Sequence, residues 1–227
     1  MGASAAAPGE PRRLRADAAR NRQRLIDAAA EVLAARGLDA TMDDIARHAG
    51  VNVATAYRNF SSKHELAREF IRQRLDQTVA IAEESAADPD PWQGLILFLR
   101  RTLKLMTSDR TLFDVTTHAY GTDHYGEFLR QTAPPLERLL ARGQQARVVR
   151  ADVTATDLAP ILEMLLAITG DAHDRYLGLI LAGLRPGQEP LSGKPPTVES
   201  LIQAASDRGG RAASVTALDR ESADSPA

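Results

Sequence analysis

Residues 41–66, TMDDIARHAGVNVATAYRNFSSKHEL, carry the reading that decides the fold. They divide into two short helices with a tight turn between them, followed by the start of a longer third helix. Thr41 stands where it can cap the first helix, and Asp44, three residues on, makes an Asp form of the capping box. Asp43 and Asp44 also suit the positive end of a helix dipole. Ile45, Ala46 and Ala49 fall on one apolar face. Gly50 can take the left-handed conformation that stops a helix sharply, and Val51 then plugs the turn into the core. Asn52 caps a second helix over Val53–Asn59. Ser62 and Glu65 form a further capping box, and Leu66, Phe70, Leu75 and Val79 extend an apolar stripe along the helix that follows. This is the layout of a helix-turn-helix DNA reader.

In such a reader the second helix lies in the major groove, with its N-terminal residues nearest the bases. Asn52, Val53 and Thr55 occupy that end. Thr55 can donate to a base or a phosphate, and Val53 can touch a thymine methyl. Tyr57, Arg58 and Lys63 reach phosphates, which set register without reading sequence. The plainer alternative keeps Tyr57 and Phe60 as core aromatics and Arg58 in solvent. Phe60 is assigned to the core; Tyr57 is divided between a packed ring and a hydroxyl on a phosphate.

The segment from about Arg20 to Leu75 resembles the N-terminal domain of TetR-family transcriptional regulators. Ile26, Ala28, Ala29, Gly37, Thr41, Ile45, Ala46, Ala49, Gly50, Val51, Thr55, Tyr57, Phe60, Lys63, Glu65 and Leu66 carry the resemblance. Asn52 stands where Ser is common, Ala54 where Gly or Pro is common, Ala56 where a larger aliphatic is common, and Asn59 where His is frequent. The DNA-facing set expected on this basis is Arg22, Thr41, Asn52, Val53, Ala54, Thr55, Tyr57, Arg58, Asn59 and Lys63.

Charge is distributed in keeping with that reading. The chain has a formal net charge of −2. Residues 10–74 hold 13 Arg and Lys against 9 Asp and Glu, whereas the residues after 74 hold 15 against 21. A basic reader and an acidic body orient a molecule on DNA. Arg12, Arg13, Arg15, Arg20, Arg22 and Arg24 lead into the first helix as a basic run, read as a partly flexible arm on phosphates or in the minor groove.

Several classes are set aside. There is no cysteine, hence no disulfide or thiolate metal site. No secretory signal is read at the N-terminus, and no apolar run approaches the roughly 18–20 residues of a membrane span. A cytoplasmic location is expected. His118, Asp123 and His124, with Asp114, match no compact zinc spacing. Neither a phosphate loop nor a nucleophile elbow is present, so neither enzyme activity nor a cofactor is expected.

The expected fold is all-α, with about nine helices: a three-helix DNA-binding domain joined by a long helix to a helical ligand-binding and dimerisation domain. The boundaries are a flexible basic arm over 1–14, the DNA-binding domain over 15–75, the C-terminal domain over 76–185 and a mostly disordered tail over 186–227, within which Val198–Ala205 can form a helical turn. Beyond Val79 the apolar period stays helical. The long helix from Ser62 runs to about Ala87, ended by Asp88-Pro89-Asp90-Pro91. Further helices are expected over about Pro91–Thr107, Asp109–Tyr120, a segment ending near Ala146, Thr154–Ile168 and Asp171–Leu184.

The resemblance implies that the body dimerises through its last two long helices and encloses an effector pocket. Leu158, Ile161, Leu162, Leu165, Leu177, Ile180, Leu181 and Leu184 are the expected dimer interface. Trp92, Phe98, Leu99, Met106, Phe113, His118, Tyr125, Phe128 and Met164 are the expected lining, with His118 and Tyr125 as polar anchors. The implied partners are a pseudo-palindromic double-stranded operator, a second copy of the chain and a small apolar or amphipathic effector. The function expected is a dimeric repressor released by that effector. The alternative is a DNA-binding regulator without small-molecule control, either constitutive or answering to a protein partner.

Overall fold

The computed structural model describes residues 10–108, 123–168, 172–187 and 189–207. Among these residues every regular element is helical and none is a strand. The chain divides into two compact units, Met1–Phe70 and Ile71–Ala227.

The first unit begins with α1, Glu10–Arg36, so residues 10–14, read from sequence as part of the arm, are helical. Leu25, Ile26, Ala28, Ala29, Val32 and Leu33 form its buried stripe, the spacing of one face of a helix. A short 3₁₀ turn, Gly37–Asp39, leads to α2, Met42–His48, and then to α3, Val53–Asn59. α1 packs against both α2 and α3, and α2 packs against α3. The capping box that opens α2 is complete. The Thr41 hydroxyl accepts from Asp44 N at 3.1 Å, and the Asp44 carboxylate accepts from Thr41 N at 3.1 Å. Gly50 ends α2 at φ +64°, a conformation that costs other residues strain. Asn52 then caps α3 by accepting from Ala54 N at 2.8 Å.

The next helix, α4, is Lys63–Ala86. Its start differs in one detail from the box expected there. Ser62 Oγ accepts from Glu65 N at 3.2 Å, but the Glu65 carboxylate turns back to Ser61, accepting from its N at 2.7 Å and its hydroxyl at 2.8 Å. The division between the units falls at Phe70 and Ile71, inside α4.

The second unit contains α5, Pro91–Ser108; α6, Asp123–Gln145; α7, Ala155–Leu166; α8, His173–Gly183; and α9, residues 198–207. Asp90 opens α5, accepting from Trp92 N at 2.8 Å and Gln93 N at 3.3 Å. α6 runs through Pro134 and Pro135, which lie well inside it. Leu95, Phe98, Leu99, Leu139, Leu158 and Leu165 sit at the centre of the core that joins α5, α6 and α7. Arg142 clips α6 to the α4–α5 corner, donating to the carbonyls of Ala86, Asp88 and Pro89 at 2.7–3.0 Å.

The helical turn expected over Val198–Ala205, within a tail otherwise read as disordered, is present as α9. α9 is ordered against α6, with Leu201 buried beside Phe128 and Leu129 and with Val198 and Ile202 packed around them. Its few large apolar residues stand at positions 198, 201 and 202, which one helix face gathers together. The helix expected over Asp109–Tyr120 and the start of the last long helix at Asp171 lie outside the described residues.

Three carboxylates are held below their ordinary ionisation range. Asp44 is held chiefly by the Thr41 hydroxyl and backbone N–H, then by Arg36. Glu65 is held by the Ser61 hydroxyl and N–H, and Asp152 by the Arg150 guanidinium and Leu191 N–H. A folded value below the unfolded one gives stability that is full above the unfolded range and lost as pH falls through the folded value. Thermal melts of the chain should therefore be flat in pH above about 5 and fall on acidification below about 4. Asp152→Asn should lower the neutral melting temperature and flatten that acid limb. An acid limb of unchanged slope would show that Asp152 contributes nothing to it.

Candidate nucleic-acid interface

The reading helix presents a small mixed surface. Ala54, Tyr57 and Arg58 are exposed, Tyr57 by 51%, while Val53, Thr55 and Asn59 are half-buried and Ala56 is fully buried beneath them. An Ala at 56 lets α3 sit close on its support. Tyr57, divided in the sequence reading between core and surface, stands on the surface. Phe60 is buried.

The polar side chains of this surface are pre-arranged by one another. Arg58 Nη2 donates to Thr55 Oγ1 at 2.8 Å, which holds the guanidinium against α3. Asn59 Nδ2 donates to the Thr55 carbonyl at 2.8 Å. Asn52 and Thr41 serve as helix caps. Lys63 Nζ donates to the Ala40 carbonyl at 2.7 Å, tying the start of α4 to the entry of α2.

Arg22 was expected on DNA from its place in a basic run. Its guanidinium instead lies 4.2 Å from the centre of the Phe60 ring, donates to the Asn59 carbonyl at 3.1 Å and pairs with Glu69 at 3.5 Å. It joins α1 to the end of α3 and to α4. A second joint, between His48 Nε2 and Glu31 at 2.7 Å, ties α2 to α1. Partners 17 and 37 residues apart leave no mark in local spacing, and neither joint was foreseen.

The second unit holds an apolar cleft between α5, α6 and α7. Phe98 and Phe128, both expected there, line it together with Leu129, Thr132, Leu136, Leu162 and Val198. Its water-accessible volume is about 20 Å³, room for about one water molecule. Other expected lining residues are placed elsewhere. Leu99 is fully buried in the core, and the Trp92 ring is covered by the Arg185 guanidinium at 3.6 Å. Met106 packs in the cluster around α9, and Tyr125 donates to Glu163 Oε1 at 2.7 Å. Met164 points outward, 59% exposed. Helical period identified these as apolar positions, but it does not distinguish core, cleft and surface. Phe113 and His118 lie outside the described residues, as do His118 and Asp114 of the rejected metal set.

The residues expected at a dimer interface differ in how far this chain buries them by itself. Leu158, Leu162, Leu165, Leu177 and Leu184 are buried in this chain's own core, and Ile161, Ile180 and Leu181 pack against it. The large apolar side chains exposed on α7 and α8 are Met164, Tyr176 at 44% and Leu179 at 59% exposure.

Comparison with known proteins settles the family. Residues 25–70 match the profile of bacterial regulatory proteins of the tetR family, and residues 90–186 match the C-terminal domain of SbtR-like transcriptional regulators. The HTH-type transcriptional regulator SrpR of Pseudomonas putida is 31% identical over 180 residues, 77% of this chain and 80% of its own. The chain belongs to the TetR family of transcriptional regulators. A TetR transcription regulatory protein of Mycobacterium vanbaalenii has a similar fold, with a TM-score of 0.60 at 34% identity over 76% of this chain and 99% of its own. A TetR regulator of Streptomyces coelicolor is also similar, with a TM-score of 0.58 at 28% identity over 73% of this chain and 98% of its own. The chain is thus an all-α DNA-binding helix-turn-helix regulator. No helix among the described residues is long and apolar enough to cross a membrane.

In this TetR-family reader, Arg22→Ala should destabilise the first unit by about 1 kcal/mol, the scale of a partly exposed cation–π contact with a charged hydrogen bond. Arg58→Ala, whose partner lies on its own helix, should cost less. Hydrogen exchange of the α3 amides checks both, and equal protection in the two variants would remove the structural role given to Arg22.

Proposed function

We propose that this TetR-family regulator is a dimeric repressor, acting in the cytoplasm, that a small apolar effector releases from a pseudo-palindromic operator. The observation that carries the reading is the exposed face of α3, with Tyr57 and the Thr55–Arg58 pair at its surface. Within the expected DNA-facing set, direct contact is assigned to Val53, Ala54, Thr55, Tyr57 and Arg58. Thr41, Asn52, Asn59, Lys63 and Arg22 hold that surface in place through the bonds described above. Tyr57 and Arg58 serve phosphates, and Val53 and Thr55 face bases.

Two half-sites require two readers. Met164, Tyr176 and Leu179 supply bare apolar surface on α7 and α8 for a second copy, and a two-fold interface needs only such a self-complementary patch. The cleft lined by Phe98 and Phe128 supports an effector that is predominantly apolar. Ligand and operator oppose one another when each favours a different spacing of the two reading helices. α4 is the natural lever, since its first turns belong to the reader and its remainder to the body.

The small volume of the cleft favours a second reading, in which the regulator is constitutive or answers to a protein partner. Fluorescence anisotropy with duplex from upstream of the gene, against a scrambled duplex at two salt concentrations, tests the core of the proposal. Binding should be sequence-dependent at the higher salt. Tyr57→Ala and Thr55→Ala should each weaken it by roughly tenfold without loss of helicity, a phosphate or base contact being worth about 1–3 kcal/mol. Operator affinity untouched in both would overturn the assignment of α3. Apolar metabolites that leave affinity unchanged would favour the second reading.

Leu179→Asp should yield monomers by light scattering and lower operator affinity by a hundredfold or more, since the two readers then bind independently. A dimer that survives this change would place the interface elsewhere.

A further inference from the structure

We infer that α9 is a displaceable lid on the apolar cleft of the second unit, seated by its own side chains and lifted by an apolar ligand. The inference rests on the cleft being an effector site.

The seat is built on both sides. Val198 contributes to the cleft wall together with Phe98 and Phe128, and Leu201 is buried against Phe128 and Leu129. Ile202 crosses α6 at Gly126, where a Cβ would come within 2.7 Å of Ile202 Cδ1. Glycine at 126 thus gives α9 a close approach that a side chain would obstruct. α9 also carries its own N-terminal cap, since Ser200 N donates to Thr197 Oγ1 at 3.1 Å and Thr197 N donates to Ser200 Oγ at 3.0 Å.

The root of the lid is pinned. Arg150 is held on Asp152 by two bonds of 2.5 and 3.0 Å, and it donates to the carbonyls of Gly183 and Glu189. Asp152 in turn accepts from Leu191 N at 2.7 Å. The chain is fixed as far as Leu191, and residues 192–197, with Pro195 and Pro196, form a non-helical link to α9. A fixed root and a short link let α9 lift without leaving its place.

Among the walls of the cleft, α9 is the one that can yield. α5, α6 and α7 carry the fully buried Leu95, Leu99, Leu139 and Leu158, so displacing them opens the core. α9 buries a single side chain, Leu201, and residues 203, 204, 206 and 207 are exposed. A helix this short is marginal alone and depends on its seat. With α9 closed, the cleft has room for about one water molecule, so a larger ligand requires a wall to move.

Nile red provides the test on the full-length protein. The unmodified chain should bind it weakly. Leu201→Asp combined with Ile202→Asp unseats α9 directly, and Gly126→Leu fills the seat from α6 without altering the tail. Each should tighten dye binding about tenfold, as when a state populated to about one part in ten becomes dominant. Hydrogen exchange should show amides of 198–207 protected in the free chain and deprotected when dye binds. Unchanged dye affinity in either variant that keeps its helical circular dichroism, or α9 amides that stay protected with dye bound, overturns the lid. Operator affinity of the same samples separates this outcome from effector control. Dye that opens α9 without moving operator affinity leaves the lid standing and removes the effector reading. Dye that moves operator affinity with α9 still protected does the reverse.

Discussion

A helix of seven residues cannot hold its own conformation in water, where isolated helices shorter than about 12–15 residues are marginal. α3, the reading helix, is seven residues long. Everything that places it must therefore come from outside it. Asn52 caps its first turn, buried Ala56 sets it down on its support, and Phe60 anchors its end. Arg22 closes the arrangement by covering the Phe60 ring and donating to the Asn59 carbonyl. The surface offered to DNA depends on these four anchors, because a helix terminus free to rotate would present Thr55, Tyr57 and Arg58 in no fixed register.

The local half of this arrangement was legible in the sequence, and the distant half was not. Thr41, Asp44, Gly50 and Asn52 act on backbone groups two or three residues away, so their types and spacing state their roles. Arg22 and Lys63 act on carbonyls 37 and 23 residues away, and nothing in a basic run distinguishes a strut from a phosphate ligand. The same limit governs the second unit. A period of 3.6 marks Leu158, Leu162 and Leu165 as one stripe, but does not say whether this chain or a second copy covers it. The structure buries all three within the chain and leaves Met164, between them in sequence, exposed. The tail was legible only in part. Its composition is that of a solvated linker, yet three apolar residues aligned on one face are enough to seat a short helix when a groove is already present.

The cleft and its lid bear on how an effector can be sensed at all. A ligand shifts an equilibrium only by its differential affinity for two states. A wholly rigid apolar core offers one state, with a cost of several kcal/mol for opening a cavity the size of a large side chain. A wall contributing one buried side chain offers a second state at lower cost. The pinned segment through Leu191 confines that freedom to α9, so that opening leaves the packing of Leu95, Leu99 and Leu139 intact.

Charge sets the remaining constraint on the reader. Several cations on the surface of the first unit have acidic neighbours: Arg36 and Arg47 share Asp44, and Arg20 faces Asp17. Exposed pairs of this kind contribute little, about 0–1 kcal/mol each. A phosphate can take over such a cation at small cost, and counterion release then supplies affinity. Arg22 and Lys63 are different: each donates to a backbone carbonyl that would lose a partner, and Arg22 also pairs with Glu69. Exchanging them would loosen the frame that aims α3. Arg22 and Lys63 therefore belong to the frame of the reading helix, whereas Arg58, bound only to a hydroxyl of its own helix, is the cation that the proposed function leaves to a phosphate.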